Sequence, residues 1–205
     1  MRLFRNAVLS ATFFCAIALG GFYALYSPNY FLAVVFGVVT PLAFCIPLLI
    51  RKWLSAHAKE NFFNTFDLLA GAIFFITTPG NVYWYAYPGA EYDTFAHVLI
   101  TAVVAIMVAM LFRLGRTALY DAPTARGGAL TFAILMLMLL GVVWEGFQKL
   151  GDITWGTHMF YDADQPIARD LLLDLIADAA GTILGCMVLW RFWDRWNAKW
   201  TKTAG

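Results

Sequence analysis

The sequence predicts an all-α, polytopic membrane protein of six transmembrane helices with both termini in the cytoplasm. Of its 205 residues 61% are hydrophobic and only 13% are charged, with a mean hydropathy of +0.69, whereas an ordinary soluble domain has about 25% charged residues. Apolar runs of membrane-spanning length recur six times, and basic residues gather on one predicted side. Because a span needs ~20 apolar residues, residues 1–205 are predicted to form a single six-helix transmembrane bundle.

Six apolar runs predict the helices in order. The predicted spans are residues 7–26, 30–50, 62–80, 94–112, 128–149 and 169–190. Turn residues or charges separate them, at Ser27–Asn29, Arg51–Asn61, Asn81–Asp93, Arg113–Gly127 and Leu150–Ala168. An alternative interprets Met1–Ala24 as a cleavable signal peptide, but its apolar run is long for a signal core and no polar mature region follows. The last loop is long for a connector and is predicted to be either a lid or a solvated segment.

The orientation prediction comes from the basic residues, because Lys and Arg are retained in cytoplasmic loops. Of the 14 Lys and Arg residues, only Lys149 and Arg169 fall on the predicted outer side, which leaves twelve on the side of the termini. The net charge of +1 and the absence of a long basic run argue against a nucleic-acid partner. The three cysteines lie inside apolar runs and are predicted to pack there, so neither a disulfide framework nor a zinc motif is expected.

Acidic residues show the opposite distribution and enter the predicted spans. Nine of the 13 fall on the predicted outer side: Glu91, Asp93, Glu145, Asp152, Asp162, Asp164, Asp170, Asp174 and Asp178. Glu145, Asp174, Asp178 and the imidazole of His97 lie inside spans, where polar groups are costly and usually functional. Residues three or four apart share a helix face, so Asp93 joins His97 on one stripe. The other two stripes are Gly141–Glu145–Gln148–Asp152 and Asp170–Asp174–Asp178.

The acidic stripe of the sixth span coincides with small residues. Gly181 and Gly185 form a GxxxG motif within about the same 100° sector as Asp174 and Asp178. Because GxxxG permits close approach between transmembrane helices, the stripe is predicted to face the bundle. The fourth, fifth and sixth spans are therefore expected to converge on one site just inside the outer interface.

Carboxylates crowded in a poorly hydrated place require bound protons or a cation. One imidazole with carboxylate oxygens suits one divalent ion such as Mg, Mn, Fe or Zn. The predicted metal ligands are Asp93, His97, Glu145, Asp174 and Asp178. The predicted catalytic residues are Glu145, His97 and Asp174, and the predicted substrate-binding residues are Gln148, Trp144 and Asp152. Three alternatives stay open: a metal-free proton relay, helix capping by Asp93 and Asp170, and a buried, hydrogen-bonded His97 with a packing role.

Three segments of the chain resemble known membrane proteins: Asp93–His97, Trp144–Gln148, and Asp170–Asp178 leading into Gly181 and Gly185. They resemble YjdF-like bacterial and archaeal membrane proteins and, more distantly, VanZ-like proteins, which carry Asp-x-x-x-His, Glu-x-x-Gln and Asp-x-x-x-Asn before a closing Gly-x-x-x-Gly. The resemblance covers the last three spans, and Asp178 stands where VanZ-like chains usually have Asn. It implies a bacterial inner-membrane location and makes Asp93, His97, Glu145, Gln148, Asp174 and Asp178 motif positions, without supplying a reaction.

Three functions follow as hypotheses. The first is an envelope-side enzyme or binding protein for a lipid or lipid-linked substrate, because the polar site is expected at headgroup level. The second is a proton- or cation-coupled transporter, suggested by the similar segments that begin at Asp67 and Asp174 and by the inverted repeats of many transporters. Outside that hypothesis, Asp67 is predicted to be an interfacial acid. The third is an accessory subunit of a larger membrane complex.

Overall fold

The regular elements of the chain are all helical in the residues that the structure describes. The structure is a computed structural model that describes residues 2–26, 33–55, 57–79, 90–120, 125–156 and 166–200. The elements are α1 (Arg2–Leu25), a π-helical stretch (Val35–Val39), α2 (Thr40–Leu54), α3 (Glu60–Pro79), α4 (Ala90–Tyr120), α5 (Arg126–Trp155) and α6 (Ile167–Trp200). The predicted all-α class is confirmed.

Four of these helices are long and apolar enough to cross a membrane. The candidate spans are Leu3–Leu25, Tyr92–Tyr120, Arg126–Thr154 and Ile167–Trp200. They lie within α1, α4, α5 and α6, so the chain is a membrane protein with transmembrane helices. The six-span topology and the cytoplasmic termini stay predictions.

The helices extend beyond the apolar runs from which they were predicted. Helix α4 continues to Tyr120, although a loop is predicted from Arg113, and α6 continues from Ile167 to Trp200. At ~1.5 Å per residue the 34 residues of α6 span about 51 Å, against ~30 Å for a hydrocarbon core. Hydropathy locates the membrane-embedded part, whereas backbone hydrogen bonding decides where a helix ends.

Helix α5 ends at the left-handed Gly156, whose N–H donates to the Asp152 carbonyl oxygen over 3.0 Å.

The chain divides into two compact units. Unit 1 contains Met1–Phe74 and Lys199–Gly205, and unit 2 contains Phe75–Ala198. In unit 1, α1 approaches the π-helical stretch closely: a Cβ on Gly20 would lie 2.5 Å from the Gly37 backbone. Near this contact Tyr23 stacks on Phe36 with ring centroids 5.9 Å apart. The single bundle over 1–205 stays a prediction.

A polar network occupies one end of unit 1. Arg5 donates hydrogen bonds to Glu60 Oε1 over 3.1 Å and to Asn64 Oδ1 over 2.7 Å. Its Nε lies 3.7 Å from Asp67 Oδ2, and Arg51 also donates to Glu60 over 3.2 Å. Asn64 and Asp67 are buried. Asp67, predicted to be an interfacial acid, is therefore a buried acid with an arginine partner.

Unit 2 contains α4, α5 and α6 up to Ala198, which carry the predicted site. Helix α6 meets α4 at its two motif glycines. A Cβ on Gly181 would collide with the hydroxyl of Thr101 and the carbonyl oxygen of Val98, and one on Gly185 would collide with the carbonyl oxygen of Ala102. The predicted role of GxxxG in close helix approach is confirmed.

Candidate metal centre

The candidate site is a cluster of His97 and the acidic residues Asp93, Glu145, Asp174 and Asp178. Its centre is the His97 imidazole, which α4 presents to the acidic stripe of α6. Asp93 lies one turn before His97 on α4, while Asp174 and Asp178 lie one turn apart on α6. The close approach of α6 to α4 at Gly181 lets short aspartate side chains reach the imidazole. The packing glycines thus position the polar groups.

The Nε2 side of His97 faces two carboxylates. This nitrogen lies 3.6 Å from Asp93 Oδ2 and 3.9 Å from Asp174 Oδ1. One possible ligand atom from each of these three residues lies within 4.8 Å of the others. Two atoms that are each ~2.1 Å from one ion are at most ~4.2 Å apart, so Nε2 and the two oxygens need only small movements to share an ion. This buried Asp–His–Asp group can hold a metal ion.

The other nitrogen of the imidazole contacts Asp178. His97 Nδ1 lies 2.9 Å from Asp178 Oδ1. An ionised carboxylate only accepts hydrogen bonds, so an ionised Asp178 would accept the N–H of Nδ1, and a neutral imidazole would then offer the lone pair of Nε2 to an ion. Metal-binding histidines commonly show this arrangement, with the second nitrogen held by a carboxylate. Asp178 was predicted to be a metal ligand, and here its Oδ1 contacts the nitrogen that faces away from the Asp–His–Asp group.

Helix α5 supplies space and a further carboxylate. A Cβ on Gly141 would lie 3.0 Å from Asp178 Oδ2, so the glycine leaves room for that carboxylate. One turn further, Glu145 is buried, and neither of its carboxylate oxygens has a hydrogen-bond partner among the described residues. It is close enough to interact electrostatically with His97 and Asp178. Helix α5 thus adds an unsatisfied acid to the cluster.

The charges of this cluster do not balance within the described residues. Asp93, Asp174 and Asp178 contact the imidazole and Glu145 interacts with it electrostatically, so four carboxyl groups share one imidazole, and even a protonated His97 offsets only one negative charge. Uncompensated charge is expensive inside a membrane protein. Bound protons or a cation must supply the difference.

The cluster is open at one end. The side chain of Asp93 is 46% exposed, whereas those of His97, Asp174 and Asp178 are 11%, 8% and 6% exposed. Asp93 therefore lies at the entrance and Asp178 at the closed end. The Asp93 end is thus the exposed end of the cluster.

The predicted substrate-binding residues are not all in this cluster. Trp144 of α5 is half-exposed, and its ring stacks on Phe147 with centroids 5.7 Å apart. Gln148 and Asp152 are partly buried on the stripe that continues from Glu145 towards the end of α5. The substrate-binding role of the three stays a prediction. The predicted loop Leu150–Ala168 is wrong at its two ends, because α5 continues to Trp155 and α6 begins at Ile167. Residues 157–165, where the predicted lid would lie, are outside the described residues.

One buried polar residue on the α6 stripe was not predicted. Thr182 lies one turn beyond Asp178 on α6, is 1% exposed, and its hydroxyl has no hydrogen-bond partner among the described residues. The i, i+4 spacing from Asp174 through Asp178 to Thr182 could have identified it. The polar stripe therefore extends one turn deeper than predicted.

These features define a class: an all-helical membrane protein with a buried Asp–His–Asp group between two apolar helices. Within that class, the chain belongs to the family described as "Predicted membrane protein (DUF2238)", whose model matches residues 7–195. No curated protein and no solved structure matches the chain. The family description gives no activity, so any function has to be argued from the cluster.

Proposed function

We propose that this protein is a metal-dependent enzyme or binding protein that acts on an envelope lipid or a lipid-linked substrate. The observation that carries the proposal is the convergence of Asp93, His97 Nε2 and Asp174, whose possible ligand atoms lie within 4.8 Å of one another. These three residues are the proposed ligands of one divalent ion. A nitrogen and carboxylate oxygens suit Mg, Mn, Fe or Zn.

Each remaining acid has a proposed role that follows from its contacts. Asp178 holds His97 through Nδ1, so it positions a ligand instead of binding the ion itself. Glu145 has no hydrogen-bond partner among the described residues and is proposed as the general base or acid. A divalent ion at this centre would activate a water molecule or polarise a phosphoryl or carbonyl oxygen. Glu145 would then accept or return the proton.

The proposed substrate is amphiphilic because of where the cluster opens. Asp93 is the exposed member and lies near the start of α4, at the end of a candidate span. A headgroup can therefore enter while its acyl chains stay in the bilayer. Trp144, Gln148 and Asp152 are proposed to contact the substrate from α5. A bacterial inner-membrane location and kinship with YjdF-like and VanZ-like proteins belong to the same proposal.

A metal-free function has one observation in its favour. The His97–Asp178 hydrogen bond, with Asp93 and Asp174 at the other nitrogen, is also a possible proton relay. This arrangement would suit proton- or cation-coupled transport. Asp67 and Asp174, compared above as a possible repeat, have different partners: Asp67 pairs with Arg5, and Asp174 faces His97.

The test is a turnover screen of purified protein with headgroup-labelled phospholipids and lipid-linked phosphates, with and without chelator. Glu145→Gln is expected to retain metal and lose turnover, and His97→Ala to lose both. The matched control is Gly146→Ala, since a Cβ there meets nothing within 4 Å. Full turnover by Glu145→Gln, or chelator-resistant turnover, would contradict the proposal. Proton flux in proteoliposomes that is lost in Asp174→Asn would favour the transporter.

A further inference from the structure

A second charged feature lies at the opposite end of unit 2. Five arginines occupy this end: Arg113 and Arg116 on α4, Arg126 on α5, and Arg191 and Arg195 on α6. Arg113 is 16 residues beyond His97 on the same helix, or about 24 Å along its axis. That separation approaches the ~30 Å thickness of a hydrocarbon core. The arginine end and the acidic cluster therefore lie near opposite faces of the bilayer.

Aromatic side chains of α6 hold several of these guanidinium groups. The guanidinium carbon of Arg126 lies 3.8 Å from the Trp190 ring centroid, and its NH1 donates to the Trp190 carbonyl oxygen over 3.2 Å. The guanidinium carbon of Arg113 lies 5.1 Å from the Trp193 ring centroid. Stacking on an aromatic face restrains a guanidinium while leaving edge N–H groups available. Arginines of α4 and α5 are therefore partly ordered before any partner binds.

Acidic residues do not neutralise this end within the described chain. Asp194 is the only acid in the described stretches 108–120, 125–135 and 187–198. No ion pair joins Arg116, Arg126, Arg191 or Arg195 to a described carboxylate. The positive charge of these four arginines is therefore available to an anion.

The position of these residues along their helices indicates the kind of anion. Arg113 and Arg191 follow directly on the apolar runs of α4 and α6, and Arg126 precedes the run of α5. Trp190 is half-exposed between them, and tryptophan prefers the level of the lipid headgroups. Guanidinium groups bind phosphate through two parallel hydrogen bonds. We propose that this arginine–tryptophan end binds the headgroup of an anionic phospholipid at a defined site.

Native mass spectrometry of the detergent-purified protein can test this inference independently of the metal proposal. Phosphatidylglycerol is titrated against phosphatidylcholine with the same acyl chains. Preferential retention of phosphatidylglycerol in a saturable complex is expected for wild type. At about 1 kcal/mol per basic residue, affinity should fall about five-fold in Arg126→Gln and about 25-fold when Arg191→Gln is added.

Two further variants separate a defined site from general attraction to basic residues. Arg126→Lys keeps the charge but loses the planar stack on Trp190, so it should also bind more weakly than wild type. Lys52→Gln removes an exposed basic residue of α2 and should bind phosphatidylglycerol as wild type does. Wild-type binding by Arg126→Lys, an equal loss in Lys52→Gln, or displacement by inorganic phosphate alone would each overturn the inference. Thermal unfolding of every variant checks its folding, and Arg195→Gln replaces any variant that does not fold.

Discussion

Asp178→Asn is the substitution that separates the proposed positioning role from a simple packing role. Asparagine keeps the size of the side chain but replaces the carboxyl group that lies 2.9 Å from His97 Nδ1 with a neutral amide. The asparagine amide can also donate to Nδ1, and the imidazole proton then moves to Nε2. In that tautomer Nε2, which faces Asp93 and Asp174, no longer offers a lone pair to the ion. Metal affinity should therefore fall.

The size of the expected loss in metal affinity follows from the indirect action of Asp178, through His97. It does not belong to the Asp–His–Asp group, so its removal should resemble the loss of a residue that supports a metal ligand. Such substitutions commonly reduce metal affinity by about 10- to 100-fold, which corresponds to about 1.4–2.7 kcal/mol. The assay is a competition titration of purified protein with a fluorescent chelator, using Zn²⁺ and Mn²⁺ separately.

The matched control is Asp194→Asn, which removes the same charge from the same helix. Asp194 is exposed and lies 16 residues beyond Asp178, about 24 Å along α6, so its replacement should leave affinity within about two-fold of wild type. An Asp178→Asn protein that binds metal as wild type does would refute the positioning role of Asp178. An equal loss in both variants would also refute it, because general charge would then explain the effect.

Three further predictions address the surrounding structure. Gly181→Ala forces a Cβ against the Val98 backbone and should lower the free energy of unfolding by about 1–3 kcal/mol. Gly115→Ala should not lower it, because the added Cβ enters open space. Thermal unfolding in detergent compares the two variants. Gly141→Ala should leave stability nearly unchanged but weaken metal binding, because its Cβ displaces the Asp178 carboxylate. Calorimetric metal titration measures the affinity, and an unchanged affinity would count against the Gly141–Asp178 contact. Arg5→Ala should lower the free energy of unfolding by about 1–3 kcal/mol because it removes the partner of buried Asn64, and Lys52→Ala serves as its neutral control in denaturant titration.

Local pattern was sufficient to predict the all-helical class and the pairing of polar residues along single helices. The i, i+4 spacing placed Asp93 with His97 and Asp174 with Asp178, and GxxxG predicted the face on which α6 approaches its neighbour. These features follow from helical geometry alone. They therefore do not depend on how the rest of the chain packs.

Features that depend on non-local contacts could not be predicted in the same way. Which imidazole nitrogen meets Asp178 depends on the register between α4 and α6, so ligand and positioning residue were not distinguishable from spacing. The network of Arg5 with Asn64 and Asp67 joins residues about 60 positions apart. The stacking of Arg126 on Trp190 likewise joins two helices. Helix ends were misplaced because charge ends an apolar run without ending a helix.

The most direct test of the central claim is metal stoichiometry by inductively coupled plasma mass spectrometry, on wild type beside His97→Ala, Asp174→Asn and Gly146→Ala. The Asp–His–Asp group predicts about one divalent ion per chain in wild type and Gly146→Ala, and little or none in the two cluster variants. Wild-type protein that takes up no ion after saturation with Mg²⁺, Mn²⁺, Fe²⁺ and Zn²⁺ would contradict the claim, as would equal metal content in all four proteins.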